Sequence, residues 1–130
     1  MENPEVRSYR DLEVWKKAIA LAETCYRQAA QFPRDETYGL SAQIRRCSVS
    51  VAANIAEGHG RENTGSFVQF LRISQGSLKE LETHWIIAGR VGHIAQAPLD
   101  RMLLECETIG KMLRGLIRAL QDRKARAESE

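Results

Sequence analysis

One segment, residues 45–61 (RRCSVSVAANIAEGHGR), constrains the fold of this chain more than any other. Bulky side chains in and next to it recur in steps of three and four, which places them on one face of a helix: Ile44, Cys47, Val51 and Ile55. Beside this face are small residues, which allow another helix to approach closely: Ser48, Ser50, Ala52 and Ala53. Because Gly58 and Gly60 end the helix, we interpret the segment as the inner helix against which the others pack.

Three other stretches show the same helical spacing. Helix 1 is predicted from about Asp11 to Phe32, followed by Pro33, which stops a helix. It carries a main apolar stripe, which we expect to face the core: Leu12, Trp15, Ile19, Ala22, Tyr26 and Ala29. A second apolar stripe lies next to the first: Val14, Ala18, Leu21 and Cys25.

The later helices are predicted to begin at residues that favour helix starts, namely Asp35 as N-cap of helix 2, Asn63 as N-cap of helix 3 and Pro98 as first residue of helix 4. No alternating apolar pattern favours strands. Since short connections force successive helices to run antiparallel, we predict an all-α fold, an up-down-up-down four-helix bundle of residues 11–120. Residues 1–10 are predicted to form a loose N-terminal arm, and residues 121–130 a charged C-terminal tail that frays.

Composition narrows the classes of protein to which the chain can belong. Its apolar fraction of 43% and charged fraction of 28% are typical of a globular protein. No apolar run approaches the ~20 residues of a membrane span, and the first residues lack the apolar core of a signal peptide, so we predict a cytoplasmic location. Cys25, Cys47 and Cys106 lie on or beside apolar stripes, and we expect them to be buried, reduced thiols.

Several separated motifs carry a family resemblance. In chain order they are DLEVWKKA at 11–18, FP at 32–33, YGL at 38–40, VSVAANIAEG at 49–58, FL at 70–71, GSL at 76–78 and ELET at 80–83. Over about residues 9–120 the chain resembles the bacterial four-helix-bundle proteins encoded in intervening sequences of large-subunit ribosomal RNA genes. It is more distantly similar to the accessory variability protein of diversity-generating retroelements.

The resemblance implies a homo-oligomer, with a pentamer as the expected assembly, and it implies no reaction or cofactor. The similarity to the retroelement protein, which binds reverse transcriptase and nucleic acid, implies RNA or an RNA-binding protein as a candidate partner. Ala52 stands where the family usually has proline, so we expect any kink in helix 2 to be absent or milder. Asn54, Glu57 and Gly58 belong to the strongest motif, and we assign them a structural role.

The residues themselves give no reason to predict an enzyme, a metal or another cofactor. Helical bundles that bind two iron ions use Glu-x-x-His pairs, but the residues three positions before the histidines are Ala56, Leu81 and Arg90. Serine hydroxyls inside helices usually bond to the preceding turn, so no nucleophile is predicted either. The sequence therefore predicts no catalytic residues and no metal ligands.

Asn54 and Glu57 are three residues apart and share one face of helix 2. We interpret them as a structural cap, in which Glu57 holds an arginine or the turn and Asn54 bonds a neighbouring helix or loop. The alternative is a polar pocket that the pair forms together with Arg46 and Arg61.

Basic residues recur on helix 4, where Lys111, Arg114 and Arg118 are spaced by three and four. Net charge is only +2, but 14 of the 19 basic residues are arginine, which favours bidentate contacts with phosphate or carboxylate. One interpretation is a solvated face near the helix C-terminus, and the alternative is a phosphate-binding stripe whose field an oligomer multiplies. The candidate nucleic-acid-binding residues are Arg45, Arg46, Arg61, Lys111, Arg114, Arg118, Arg123 and Lys124.

Helices 1 and 3 carry more apolar surface than one seam toward a core requires. We expect the excess to be buried between subunits, with these candidate interface residues: Val14, Leu21, Phe70 and Ile73. The sequence thus predicts a non-catalytic oligomeric bundle that binds RNA or an RNA-containing partner through arginine-rich surfaces. The alternative is a purely structural or protein-interaction oligomer with no nucleic-acid role.

Overall fold

The computed structural model describes residues 7–129. These residues form four long helices: α1 (Glu13–Ala29), α2 (Leu40–Gly60), α3 (Thr64–Arg90) and α4 (Gln96–Ser129). Short 3-10 helices, Tyr9–Asp11 and Arg34–Glu36, precede α1 and α2. The described part of the chain contains no strand, and none of its helices combines the length and apolar character needed to cross a membrane.

The four helices occupy the corners of a square. α2 packs against α1 and α3, and α4 packs against α3 and α1, so α2 lies diagonally opposite α4. Because each connection is short, successive helices run in opposite directions. The predicted all-α, up-down-up-down four-helix bundle is confirmed.

The core runs along the axis of this square and draws side chains from all four helices. Val51, Leu78 and Trp85 are fully buried in it, and each side chain of this size contributes ~1.5–3 kcal/mol on burial. The prediction for the cysteines is also confirmed, because all three are buried and free of disulfides.

The stripe of α1 that faces the core is not the one predicted. The second stripe is buried, together with Ala29, whereas Tyr26 of the predicted main stripe is 47% exposed. Volume explains the difference, because the core opposite α1 is occupied by the large side chains of Trp85 and Met102. Cys25 lies against both, with its Sγ 3.9 Å from the Met102 Sδ. Interiors are close-packed, so at this level of the bundle a small residue such as Cys25 fits where Tyr26 would not.

α2 and α3 approach each other closely along the small residues of α2. A Cβ atom added at Gly58 would lie 2.6 Å from the Phe70 Cβ, so only glycine fits there without a shift. The Ser74 hydroxyl donates to the Val51 carbonyl of α2 at 2.8 Å. α2 passes through position 52 as an unbroken helix and ends at Gly60, two residues beyond its predicted end.

Gly39, and not the predicted Asp35, is the N-cap residue of α2, and the Glu36 carboxylate makes the capping hydrogen bond. Its Oε1 accepts a hydrogen bond from the Leu40 N–H at 3.1 Å, and its Oε2 lies 2.9 Å from the His93 Nε2 in the α3–α4 connection. The Leu40 N–H, followed by His93, holds the pKa of Glu36 below its usual value. One carboxylate therefore joins the two connections at this end of the bundle.

The starts of α3 and α4 lie close to their predicted positions. The Asn63 Oδ1 accepts the Ser66 N–H at 2.9 Å, which confirms the predicted N-cap of α3. α4 begins at Gln96, two residues before Pro98.

The described residues of the predicted arm and tail contain more helix than predicted. Tyr9 and Arg10 of the predicted arm lie in the first 3-10 helix, and the Tyr9 ring packs edge-on against Trp15 with centroids 5.1 Å apart. The predicted frayed tail continues α4 to Ser129, since its alanines, arginines and lysine favour a helix. The predictions for residues 1–6 and 130 lie outside the described residues.

Candidate nucleic-acid interface

Each pair of neighbouring helices forms one face of the bundle, and the four faces differ in chemistry. The α1–α2 face is apolar, the α2–α3 face carries a polar cluster, and the α3–α4 face is basic. The α1–α4 face is a mixed groove whose lining includes Lys17, Thr24 and Glu105. In the square arrangement, the apolar and basic faces lie on opposite sides of the molecule.

Two grooves run along the α3–α4 face. The first, of about 390 Å³, is lined by Lys79 of α3 and by Lys111 and Arg114 of α4. The second, of about 320 Å³, is lined by Arg72 of α3 and by Lys124 and Glu128 of α4. The antiparallel course of the two helices therefore joins basic residues from distant parts of the sequence into one surface.

Arg118 continues this surface between the two grooves, because it is exposed and follows Arg114 by about one turn. From Lys111 to Lys124 the helix rises about 20 Å, which is long enough to follow several phosphates of one strand. We call the six residues the basic face: Arg72, Lys79, Lys111, Arg114, Arg118 and Lys124.

Acidic residues interrupt the basic face and neutralise part of it. Lys79 pairs with Glu82 at 3.2 Å, and Lys111 pairs with Glu107 at 3.2 Å. Within residues 7–129 no acidic partner lies within ion-pair distance of the other four members, Arg72, Arg114, Arg118 and Lys124. These four supply most of the positive charge that the surface offers to a ligand.

Four members of the basic face were predicted from the sequence, whereas Arg72 and Lys79 were not. Their spacing of seven residues, about two helical turns, is the signal that places them on one side of α3. Arg123, by contrast, does not belong to this face. It follows Glu105 by about five turns, so it lies on the flank of α4 that faces α1.

Arg45 and Arg46 lie on α2, away from the basic face. The Arg45 guanidinium donates to the Thr37 carbonyl at 3.3 Å, and the Arg46 guanidinium binds the Glu80 carboxylate at 2.9 Å. Both side chains are therefore engaged within the chain, and the bundle does not bring them together with the arginines of α4.

Asn54 and Glu57 make local contacts only. The Glu57 carboxylate accepts a hydrogen bond from Arg61 at 2.7 Å. The Asn54 amide donates to the Ser50 carbonyl at 2.8 Å, within its own helix and not to a neighbouring helix or loop as expected. Arg46 lies about 22 Å before Arg61 along α2. The alternative of a pocket that gathers both arginines is therefore wrong.

The α2–α3 face carries a polar cluster that was not predicted from the sequence. Glu80 is its centre, since its Oε2 accepts from Arg46 at 2.9 Å and lies 3.4 Å from the His84 Nε2. The Cys47 thiol faces the same carboxylate. The spacing of Glu80 and His84 is four, and Cys47 lies on another helix, so a search for Glu-x-x-His pairs misses the set.

Burial and hydrogen bonding shift the pKa values of this cluster. Burial, followed by the hydrogen bond to Glu80, raises the pKa of the Cys47 thiol to about 12. The contacts with Cys47 and then Arg46 lower the pKa of Glu80. The Nδ1 of His84 is buried and has no hydrogen-bond partner in the described part of the chain.

The α1–α2 face presents an apolar groove of about 420 Å³. Its apolar lining is formed by Ile19, Ala22 and Tyr26 of α1 and by Val49 of α2. Its two charged residues, Glu23 and Arg27, pair with each other at 3.4 Å. The face is therefore apolar and nearly neutral.

Two of the four candidate interface residues are wrongly predicted. Val14 is 5% exposed and Leu21 is 1% exposed, because they belong to the core of the chain itself and are not available to a second subunit. Phe70 is half-buried against Gly58, and the Arg61 guanidinium lies over its ring, 5.0 Å from the centroid. Ile73 is 49% exposed and stays a candidate.

A solved structure from Bacteroides thetaiotaomicron, described as a protein of unknown function from the S23 ribosomal protein family, has a similar fold. Its TM-score is 0.72 at 22% sequence identity, over 80% of this chain and 97% of that chain. At this identity the likeness concerns the fold alone.

No curated protein matches the sequence. The family model of the 23S rRNA-intervening sequence protein matches residues 10–115, which include α1, α2, α3 and the first part of α4. This match spans most of the chain, so the protein belongs to the 23S rRNA-intervening sequence protein family.

Proposed function

We propose that this protein is a non-catalytic interaction module that binds RNA through its basic face. The observation that carries the proposal is the alignment of Arg72, Arg114, Arg118 and Lys124 along the α3–α4 grooves without acidic partners among residues 7–129. Arginine forks suit phosphate oxygens. A stripe of about 20 Å favours an extended polyanion over a single small anion.

The contacts of the buried hydroxyls support a role without catalysis. The Ser48 hydroxyl donates to the Arg45 carbonyl at 3.0 Å, and the Ser74 hydroxyl donates to the Val51 carbonyl at 2.8 Å. Both groups are thus used as helix and interhelix bonds. We retain the prediction of a cytoplasmic location, where free cysteines such as these stay reduced.

Self-association is the second function that we propose, and the α1–α2 face supports it. The groove formed by Ile19, Ala22, Tyr26 and Val49 is apolar, and its only charged pair is internally neutralised. Such a surface offers no charge that would select a dissimilar partner, so a second copy of this chain is the occupant that we propose. Its burial would leave the basic face exposed on the opposite side.

Assembly would also compensate for the low charge of a single basic face. The basic face of one copy has four residues without an acidic partner among residues 7–129, which is few for strong binding. Copies in which the α1–α2 face of one packs against a different surface of the next would form a ring that presents several basic faces to one RNA, and linked sites gain affinity without new contacts. Five copies is the number implied by the family resemblance. If RNA binding is absent, the apolar α1–α2 face supports the alternative of a purely structural oligomer.

Binding of a single-stranded RNA, measured by fluorescence anisotropy over a series of salt concentrations, tests the RNA proposal. Each phosphate contact contributes about −0.7 to the slope of log K against log salt for a single strand. Replacing both Arg114 and Arg118 with glutamate is therefore expected to reduce the slope by about 1.4 and to weaken binding strongly at low salt.

The matched control is Arg101→Glu with Arg123→Glu, which makes the same change in net charge on the same helix. Both residues are exposed, and Arg123 lies on the flank of α4 that faces α1. We expect this control to retain the slope of the unaltered protein. Equal loss in both double variants, or no binding at low salt, would contradict a specific role for the basic face.

A further inference from the structure

The polar cluster on the α2–α3 face contains three kinds of metal-binding side chain. Cys47 supplies a thiol from α2, and Glu80 and His84 supply a carboxylate and an imidazole from α3. One ligand atom from each residue lies within 4.8 Å of the other two. Glu80 and His84 are four residues apart, so they project from the same side of α3 toward Cys47.

These distances are close to those of a metal site. Ligand atoms around a tetrahedral zinc ion lie about 3.3–3.8 Å apart, since Zn–N and Zn–O bonds are about 2.0–2.2 Å and Zn–S bonds about 2.3 Å. Rotamer shifts of about 1 Å would bring the three atoms onto one ion. The scaffold requires no rearrangement, because two helices of the core already fix the three Cα positions.

The existing hydrogen bonds leave the histidine incompletely satisfied. Its Nε2 makes one long contact of 3.4 Å with Glu80, and its buried Nδ1 makes none with residues 7–129. The Nε2, which faces Glu80, is the nitrogen that would bind a shared ion, and its long contact with the carboxylate is weak enough to be replaced. The side chain of His84 is 19% exposed and that of Glu80 is 46% exposed, so an ion can enter from solvent.

We propose that Cys47, Glu80 and His84 form a binding site for a divalent transition-metal ion, with zinc as the best match. Thiolate and imidazole ligands select zinc over magnesium or calcium. A thiolate and a carboxylate together carry two negative charges, which one Zn²⁺ neutralises. Three protein ligands leave the fourth position of the tetrahedron to a water molecule.

Arg46 competes with a metal ion for the Glu80 carboxylate. Its guanidinium binds the Glu80 carboxylate at 2.9 Å and also contacts Gln43. When a metal binds Glu80, Arg46 loses part of that interaction and retains Gln43 and solvent, since 61% of its side chain is exposed. Removing the guanidinium charge is therefore expected to strengthen metal binding.

Titration of the purified, reduced protein with Co²⁺ tests the site, because cobalt reports its ligands by absorption. A thiolate ligand gives a charge-transfer band in the near ultraviolet, and tetrahedral coordination gives intense visible bands. We expect both bands to saturate at one ion per chain and to disappear when Zn²⁺ is added in competition.

Variants assign the ligands. Cys47→Ser is expected to abolish the charge-transfer band, and Glu80→Gln and His84→Gln are each expected to weaken binding about tenfold or more. Arg46→Gln is expected to bind more tightly than the unaltered protein. Cys106→Ser is the control, since Cys106 is equally buried but lies on α4, and it should leave the spectrum unchanged.

If Cys47→Ser prevents folding, the two α3 variants still decide the question, because Glu80 and His84 lie partly at the surface. The proposal is overturned if no charge-transfer band appears, if the band survives in Cys47→Ser or disappears in Cys106→Ser, or if Glu80→Gln and His84→Gln bind Co²⁺ as the unaltered protein does. Weaker binding by Arg46→Gln would also contradict it.

Discussion

The α1–α2 and α3–α4 faces are built by the same helical rule and end with opposite surface chemistry. In both, an inner stripe of apolar residues fills the common core. Next to this stripe, the α1–α2 face carries Ile19, Tyr26 and Val49, whereas the α3–α4 face carries Arg72 and Arg114. The core therefore determines the fold, and the residues next to the buried positions determine the surface chemistry of each face.

The largest expected effect comes from placing charge on the apolar face. Tyr26→Glu with Val49→Glu would bury carboxylates in the proposed contact between copies, which costs roughly 3–5 kcal/mol. We expect the assembly to dissociate, as measured by light scattering at increasing protein concentration. Leu104→Glu is the control, because Leu104 is an exposed apolar residue on α4, outside the proposed contact. An assembly of unchanged molar mass in the double variant would show that the contact between copies lies on another surface.

The second effect tests whether both faces depend on the same α2–α3 contact. Gly58→Val places a side chain where even a Cβ lies 2.6 Å from Phe70, and overpacking of this kind costs about 2–3 kcal/mol. We expect a lower melting temperature, measured by circular dichroism, with assembly and RNA binding weakened together. At Gly60 a Cβ meets nothing within 4 Å, so Gly60→Ala should melt at the same temperature as the unaltered protein or slightly above it. Equal melting of the two variants would contradict the close approach.

These two faces also separate what the sequence could predict from what it could not. The spacing of three and four was sufficient for the helices and the bundle, because it reports which residues share a helical face. It could not decide between the two apolar stripes of α1, since burial there depends on the volumes of Trp85 and Met102, which lie on other helices. Val14 and Leu21 were assigned to an interface for that reason.

The candidate site was predictable only within single helices. Lys111, Arg114 and Arg118 were found because they recur along α4. Arg72 joins them only through the antiparallel packing of α3, and Cys47 meets Glu80 only through that of α2 and α3. Pairings between helices depend on register and rotation, which one sequence does not encode in its local spacing.

A substitution with a smaller expected effect tests the basic face without altering its charge. A Cβ added at Gly76, which lies in α3 between Arg72 and Lys79, meets nothing within 4 Å. Replacing a helical glycine with alanine stabilises by about 0.5–1 kcal/mol. Gly76→Ala should therefore raise the melting temperature slightly while the salt dependence of RNA binding stays the same. A lower melting temperature would show that α3 is packed more tightly there than described.

The smallest expected effect concerns Glu36, whose carboxylate links the α1–α2 connection to the α3–α4 connection. The pKa of Glu36 is lowered from 4.5 in the folded protein by the Leu40 N–H and His93. Its contribution to stability is therefore complete above about pH 4.5 and is lost as the pH falls through the lowered value. Glu36→Gln should melt with less dependence on pH in this acidic range, as followed by circular dichroism.

Asp35→Asn is the control for Glu36, because Asp35 is its exposed neighbour. It should retain the acid dependence of the unaltered protein. The same loss of acid dependence in Asp35→Asn would show that Glu36 is not the group responsible.

Photo-crosslinking of the protein to a single-stranded RNA, with the crosslinked residues identified by mass spectrometry, tests most directly whether opposite faces have separate roles. We expect crosslinks in α3 near Arg72 and Lys79 and in α4 between Lys111 and Lys124, with none on the α1–α2 face. Crosslinks centred on Tyr26 or Val49, or spread evenly over the surface, would contradict the division between the two faces.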